Sequence, residues 1–194
     1  MLQFQETQHM FIECVKRHLG VCGYADLPRF AKSDPDFWNL ISILEPSFPR
    51  LTMRGFRKVH GARFYDVTGV EGLDGDDMLG VPRSEHIRAI FEFADSLPGQ
   101  PLLVHCRAGV SRSAAVALAI IVRAMRQNGA TYDQIRVQAP DTLIQIRPQA
   151  MPNPLVLELG FAEFFPAETA KQLMIGIVNH PVLFANRHHG GLPG

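Results

Sequence analysis

The chain has 194 residues, with 19 basic and 19 acidic side chains, 46% hydrophobic residues and 9% aromatics, the make-up of an ordinary soluble globular protein. A formal net charge of zero gives no overall electrostatic footprint for nucleic acid or an anionic membrane. The longest uninterrupted apolar run, Ala114 to Val122, falls well short of the roughly 18 residues that a transmembrane helix needs.

The N-terminal stretch scatters Glu6, His9, Glu13, Lys16, Arg17 and His18 among its apolar positions. No secretory segment can be drawn there, and a cytoplasmic protein without membrane or nucleic-acid partners is expected. Three cysteines, Cys14, Cys22 and Cys106, are too few to staple a chain of this length, which can bury an adequate core without them, so reduced thiols are expected. No repeat or linker divides the sequence. One domain over 1–194 follows, with a core of roughly residues 20–180 and mobile ends at 1–9 and 186–194.

In chain order, Leu40 to Leu44 (LISIL), bounded by Pro46, reads as a buried strand, and Val59 to Val67 as a second strand running into the Gly-rich acidic loop Thr68 to Gly80. Pro82 suits a first helical turn. After it, Ile87, Ile90, Phe91, Ala94 and Leu97 mark one helix face until Pro98-Gly99 ends it. Pro101 to His105 is a short apolar strand, and Arg112 to Arg126 a helix apolar almost all round. Further helices are expected over Tyr132 to Val137, Pro154 to Phe165 and Glu168 to Val178, with Asn153 as N-cap. The fold class is α/β, with a helix-rich C-terminal half.

Between the Pro101 strand and the Arg112 helix lies His105-Cys106-Arg107-Ala108-Gly109-Val110-Ser111-Arg112-Ser113. A cysteine at a strand end, facing the N-terminus of the next helix, meets unpaired N–H groups and the positive end of the helix dipole, which favour its thiolate. The same amides form a nest for an oxyanion. Gly109 permits the sharp turn, and Arg112 can donate two parallel bonds to phosphate oxygens. A buried structural cysteine beside a surface arginine explains neither the polar run between two apolar elements nor a cation where the helix dipole disfavours one.

HCRAGVSRS resembles the His-Cys-x5-Arg-Ser signature of the cysteine-dependent protein tyrosine phosphatases, in their compact, dual-specificity-like branch. The LISIL strand, Phe64-Tyr65-Asp66, the run PRSEHIRAIFEFADSLPGQPLLVHC and Arg147 with Pro152-Asn153 are also similar. So is the stretch through PQAMPNPLVLEL to small bacterial members, and the resemblance covers roughly residues 20–165. It implies one compact phosphatase domain, a central, mostly parallel sheet flanked by helices, and no cofactor or metal. Cys106 would be the nucleophile. The N–H groups of Arg107, Ala108, Gly109, Val110, Ser111 and Arg112, with the Arg112 guanidinium, would hold the phosphate. Ser113 would ease departure of the sulfur, while His105 supports the loop and Asn153 braces the floor of the site as well as capping its helix.

The family also uses an Asp general acid on a loop before the signature. Asp66, two residues after Phe64, has the right register but stands 40 residues before Cys106; Asp74 is nearer the usual separation. Asp66 is the first choice, if 69–80 is an insertion, and Asp74 the alternative, with Asp76 and Asp77 behind them. The Asp74–Leu79 segment breaks the calcium-loop pattern at Met78.

Cys14, His18 and Cys22 lie four apart, but Gly20 and Gly23 argue against one helix face, and core packing is preferred to a metal site. Cys14 or Cys22 could pair reversibly with Cys106. Arg147 could hold a second anion, an ion pair being the simpler reading. The expected activity is hydrolysis of phosphomonoesters on phosphorylated proteins or small molecules, tyrosine-directed with possible dual specificity. Inositol phosphates or phosphoinositides are the alternative substrates, with a phosphoprotein-binding pseudophosphatase and a rhodanese-like sulfurtransferase behind them.

Overall fold

The computed structural model describes residues 9–49, 52–71 and 75–189. At its centre is a five-stranded sheet in the order β1-β2-β5-β3-β4, made of His9–Ile12 (β1), Arg17–Gly23 (β2), Asn39–Leu44 (β3), Val59–Arg63 (β4) and Leu102–Cys106 (β5). β1 runs antiparallel to β2; the other pairings are parallel. The helices are Leu27–Ser33 (α1), Ser84–Asp95 (α2), Arg112–Gln127 (α3), Tyr132–Ile146 (α4), Pro154–Ala162 (α5), Ala167–Val178 (α6) and Pro181–His189 (α7). None among the described residues is long and apolar enough to cross a membrane.

β5 is buried throughout because both its faces are covered. Leu102, Val104 and Cys106 point into the larger core, and Leu103 into a smaller one with Leu27, Phe30, Trp38, Leu40 and Phe56 beneath α1. α3 lies against β5 and β2 on one side and against α4 and α5 on the other. That accounts for a helix whose side chains are apolar nearly all round.

Several elements depart from expectation. β4 stops at Arg63 rather than Val67, because beyond it the Tyr65 N–H donates to Gly80 O at 2.7 Å and Phe64 O accepts from Arg112 at 2.8 Å. α4 does not end at Val137 but continues through Pro140. A proline there costs about 3 kcal/mol, but Leu143 and Ile146, both fully buried, each return roughly 1.5–3 kcal/mol. α5 ends at Ala162, short of Phe165. Asn186 to His189, expected in a mobile tail, instead belong to α7, which is docked by the buried Leu183. β1, which includes His9, and β2 and α1 were not foreseen; residues 1–8 and 190–194 lie outside the described residues.

Candidate active site

The C-terminal ends of β2, β5 and β3 lie side by side, with Gly23 opposite Cys106 and Ser42 opposite His105. This edge of a parallel sheet is where α/β proteins gather their chemistry. Cys106 ends β5 and Arg112 begins α3, so residues 107–111 make the turn between them. Their carbonyls are pinned outward: Arg107 O accepts from Tyr24 N at 3.1 Å, Val110 O from Met151 N at 2.8 Å and Ser111 O from Asn153 N at 3.4 Å. N–H and C=O point opposite ways in a trans peptide, so the N–H groups of residues 108, 111 and 112 turn to the other side, as an anion nest requires. Gly109 has φ +74°, and a Cβ there would lie 2.2 Å from Gly23 N. Only glycine satisfies both the turn and the close approach to β2.

Cys106 Sγ lies 3.1 Å from Ser113 Oγ and accepts from Gly109 N at 3.2 Å. Arg112 is buried, and its guanidinium donates from Nη1 to Phe64 O at 2.8 Å and from Nη2 to Glu45 Oε1 at 2.6 Å. Nε makes no hydrogen bond and lies 3.6 Å from Asp66 Oδ2. Two of its five donor hydrogens are thus spent on orientation, and the rest stay available to an anion. Burial on its own would raise the pKa of Glu45, but its own backbone N–H and Arg112 outweigh that and hold it below the usual carboxylate range.

Asp66 follows β4 by three residues and reaches the same place. Its Oδ1 accepts from Ser111 Oγ and from Asn153 Nδ2, both at 2.7 Å. Asn153 also donates to Val67 O at 2.9 Å and caps α5 by accepting from Val156 N at 3.0 Å, so bracing and capping are served by one side chain. Asp74 lies outside the described residues, as do the side chains of Asp76 and Asp77. The sequence reading missed Glu45. No local pattern marked it, because its place beside the cysteine loop depends on the parallel pairing of β3 with β5.

His105 is fully buried, with Nε2 2.8 Å from Ser42 Oγ. Burial, with the Arg112 charge, lowers its pKa to about 4. Cys22 pairs with His105 in register and faces the smaller core, whereas Cys106 faces the larger one. Since neighbouring strand residues point to opposite faces, a Cys22–Cys106 disulfide would have to cross the sheet. Burial also drives the Cys22 thiol's pKa far up and raises that of Cys14. Arg147 is buried with Nε unpartnered, and no carboxylate lies within ion-pair distance of it among the described residues, so the expected ion pair does not form. No group of His, Cys, Asp and Glu fit to hold a metal occurs among the described residues.

No protein-family model and no curated protein matches the chain. Solved structures do. Tk-PTP in its active form superposes with a TM-score of 0.50 at 17% identity, over 89% of this chain and 97% of that one. DUSP15 gives 0.53 at 21% identity, over 86% and 95%. The human tyrosine phosphatase-like serine/threonine/tyrosine-interacting protein gives 0.51 at 20%, over 80% and 93%. The chain shares the fold of these three structures.

Proposed function

We propose that the protein is a metal-independent phosphomonoester hydrolase working through a cysteinyl-phosphate intermediate. Its substrates are phosphorylated proteins, tyrosine-directed with dual specificity within reach, or small phosphomonoesters. The observation that carries this is the convergence of a sulfur, a buried guanidinium with uncommitted donors and a carboxylate on one pinned loop. The phosphoryl group sits over residues 107–112, its equatorial oxygens held by loop amides and Arg112. The Cys106 thiolate attacks phosphorus opposite the leaving oxygen; an S–P bond forms while the P–O bond breaks, and Asp66 gives its proton to the departing oxygen.

Because Oδ1 of Asp66 is committed to Ser111 and Asn153, that proton belongs on Oδ2, the oxygen nearest Arg112. Water then attacks phosphorus and loses its proton to Asp66. The S–P bond breaks, the Ser113 hydroxyl donating to the returning thiolate, and inorganic phosphate leaves.

Rapid quenching of an aryl phosphate reaction in acid, followed by peptide mass mapping, tests the intermediate. Phosphate is expected on Cys106, and Cys106→Ser is expected to abolish turnover. Full aryl phosphatase activity in Cys106→Ser would overturn the proposal, and transfer of sulfur from thiosulfate to cyanide would replace it with a sulfurtransferase.

A further inference from the structure

A groove of about 380 Å³ runs between α1 and residues 52–56, lined by Tyr24, Leu27, Pro28, Ala31, Met53 and Phe56, with Arg54 on the far wall. It opens beside the catalytic loop. Tyr24 donates its N–H to Arg107 O at 3.1 Å and packs edge-on against Phe48, so the residue that starts the groove also holds the phosphate turn. The rims are cationic. Arg54 is exposed, Lys32 is exposed one helical turn beyond Pro28, and Arg107 is exposed on the loop itself. Among the described residues no carboxylate lines the groove, and the nearby Asp26 is occupied in accepting from Gly23 N at 3.1 Å.

We propose that this groove takes the flanking segment of a phosphorylated peptide, one apolar side chain seated on Leu27, Ala31, Met53 and Phe56 and acidic neighbours facing Arg54, Lys32 and Arg107. The inference rests on the phosphatase activity proposed above and names its substrate class. From Tyr24 to Ala31 the wall passes through a 3-10 turn at Tyr24–Asp26 into α1, rising roughly 12 Å, the span of about three to four extended peptide residues. An apolar residue two or three positions from the phosphorylated one therefore reaches the floor. Continuity with the phosphate loop favours a chain entering from that loop, and the exposed cations Arg54 and Lys32 favour carboxylates along it.

The test compares phosphotyrosyl peptides carrying leucine and glutamates around the phosphoresidue with peptides carrying alanine and lysines. Wild type, Met53→Glu and Arg54→Glu are each assayed by kcat/KM and by peptide fluorescence anisotropy, with an aryl phosphate as control. Wild type is expected to prefer the leucine and glutamate peptides about tenfold, the value of one partly buried apolar side chain with weak ion pairs. Both variants should lose most of that preference while keeping aryl phosphate turnover, which also reports that they are folded.

Equal use of both peptide sets by wild type overturns the groove, as does an undiminished preference in the variants. Phosphatidylinositol phosphate vesicles are assayed beside the peptides, and a loss in the variants confined to those vesicles also overturns the proposal by assigning the groove to a lipid. If aryl phosphate is not turned over but anisotropy keeps the preference, the hydrolase proposal fails and the groove stands.

Discussion

Replacing Asp66 by asparagine separates the proton that this residue is proposed to donate from the hydrogen bonds that it accepts. An asparagine Oδ1 still accepts from Ser111 Oγ and Asn153 Nδ2, which reach Asp66 at 2.7 Å, so the fold should lose at most about 1 kcal/mol. What disappears is the acid. General acid catalysis is worth roughly 10²–10⁴ in rate, or about 3–5 kcal/mol of barrier, and kcat should fall by that factor for phenyl phosphate, whose leaving oxygen is basic. A good leaving group such as 4-nitrophenolate needs less help and should lose less. KM should stay close to the wild-type value, because the Ser111 and Asn153 bonds that hold the side chain in place are kept. The assay is steady-state hydrolysis of a graded series of aryl phosphates by wild type, Asp66→Asn and Asp74→Asn, with thermal melting as the control for folding. If Asp66→Asn keeps phenyl phosphate kcat within threefold of wild type, Asp66 is not the acid; if Asp74→Asn alone shows the leaving-group dependence, the role moves to Asp74.

Glu45→Ala strands the guanidinium that Glu45 Oε1 holds at 2.6 Å, so kcat/KM for aryl phosphates should fall roughly 10- to 100-fold, the value of one charge-assisted bond; unchanged kinetics would show that Phe64 O orients Arg112 unaided. His105, with its folded pKa lowered to about 4 from 6.5, is neutral when folded but charges when unfolded, so its contribution is fully present above pH 6.5 and lost as pH falls towards 4. The loss is at most about 3 kcal/mol; urea unfolding at pH 7 and pH 4.5 should show it in wild type and a smaller fall in His105→Gln. In α7, Asn186 donates to Pro148 O at 2.7 Å and Ala150 O at 2.9 Å, and Arg187 donates to Pro152 O at 2.6 Å. That loop carries Met151 and Asn153 to the phosphate turn, so the Asn186→Ala/Arg187→Ala double variant should lower kcat on phenyl phosphate several-fold more than on 4-nitrophenyl phosphate, and an equal loss on both would make α7 a purely structural prop.

How far the site could be read in advance followed the covalent distance between its parts. Cys106 through Ser113 is one unbroken segment, and strand, tight turn and buried helix were each legible from local pattern, so the positions of Cys106, the turn and Arg112 followed from the sequence. Asp66 and Asn153 come from separate loops, and only the register after Phe64 and the cap before Pro154 pointed to them. Glu45 gave no local sign. It matters only because β3 pairs with β5 in parallel, which brings the residue after Leu44 alongside the cysteine loop, and a pairing between strands some 60 residues apart is a tertiary fact. The fold divided in the same way. α2 and α3 announced themselves by apolar period. β2 did not, because Arg17, His18 and two glycines break its apolar run, and it is buried by its place between β1 and β5 rather than by composition.

The same logic explains why Asn186 to His189, the last turn of α7, read as tail. Asn, Arg and His have little to bury, but here Asn186 and Arg187 supply donors to three carbonyls of a loop that has no strand or helix to satisfy them. A backbone held in an irregular shape must find partners for its polar groups, and that need is greatest where a loop is shaped by what it supports. Residues 147–153 are shaped by the phosphate turn on one side, so their remaining carbonyls face outward, and polar residues of a late helix are what can meet them. A polar C-terminal segment in a compact α/β phosphatase fold is thus to be weighed by the unsatisfied backbone it could cover as well as by the apolar area it could bury.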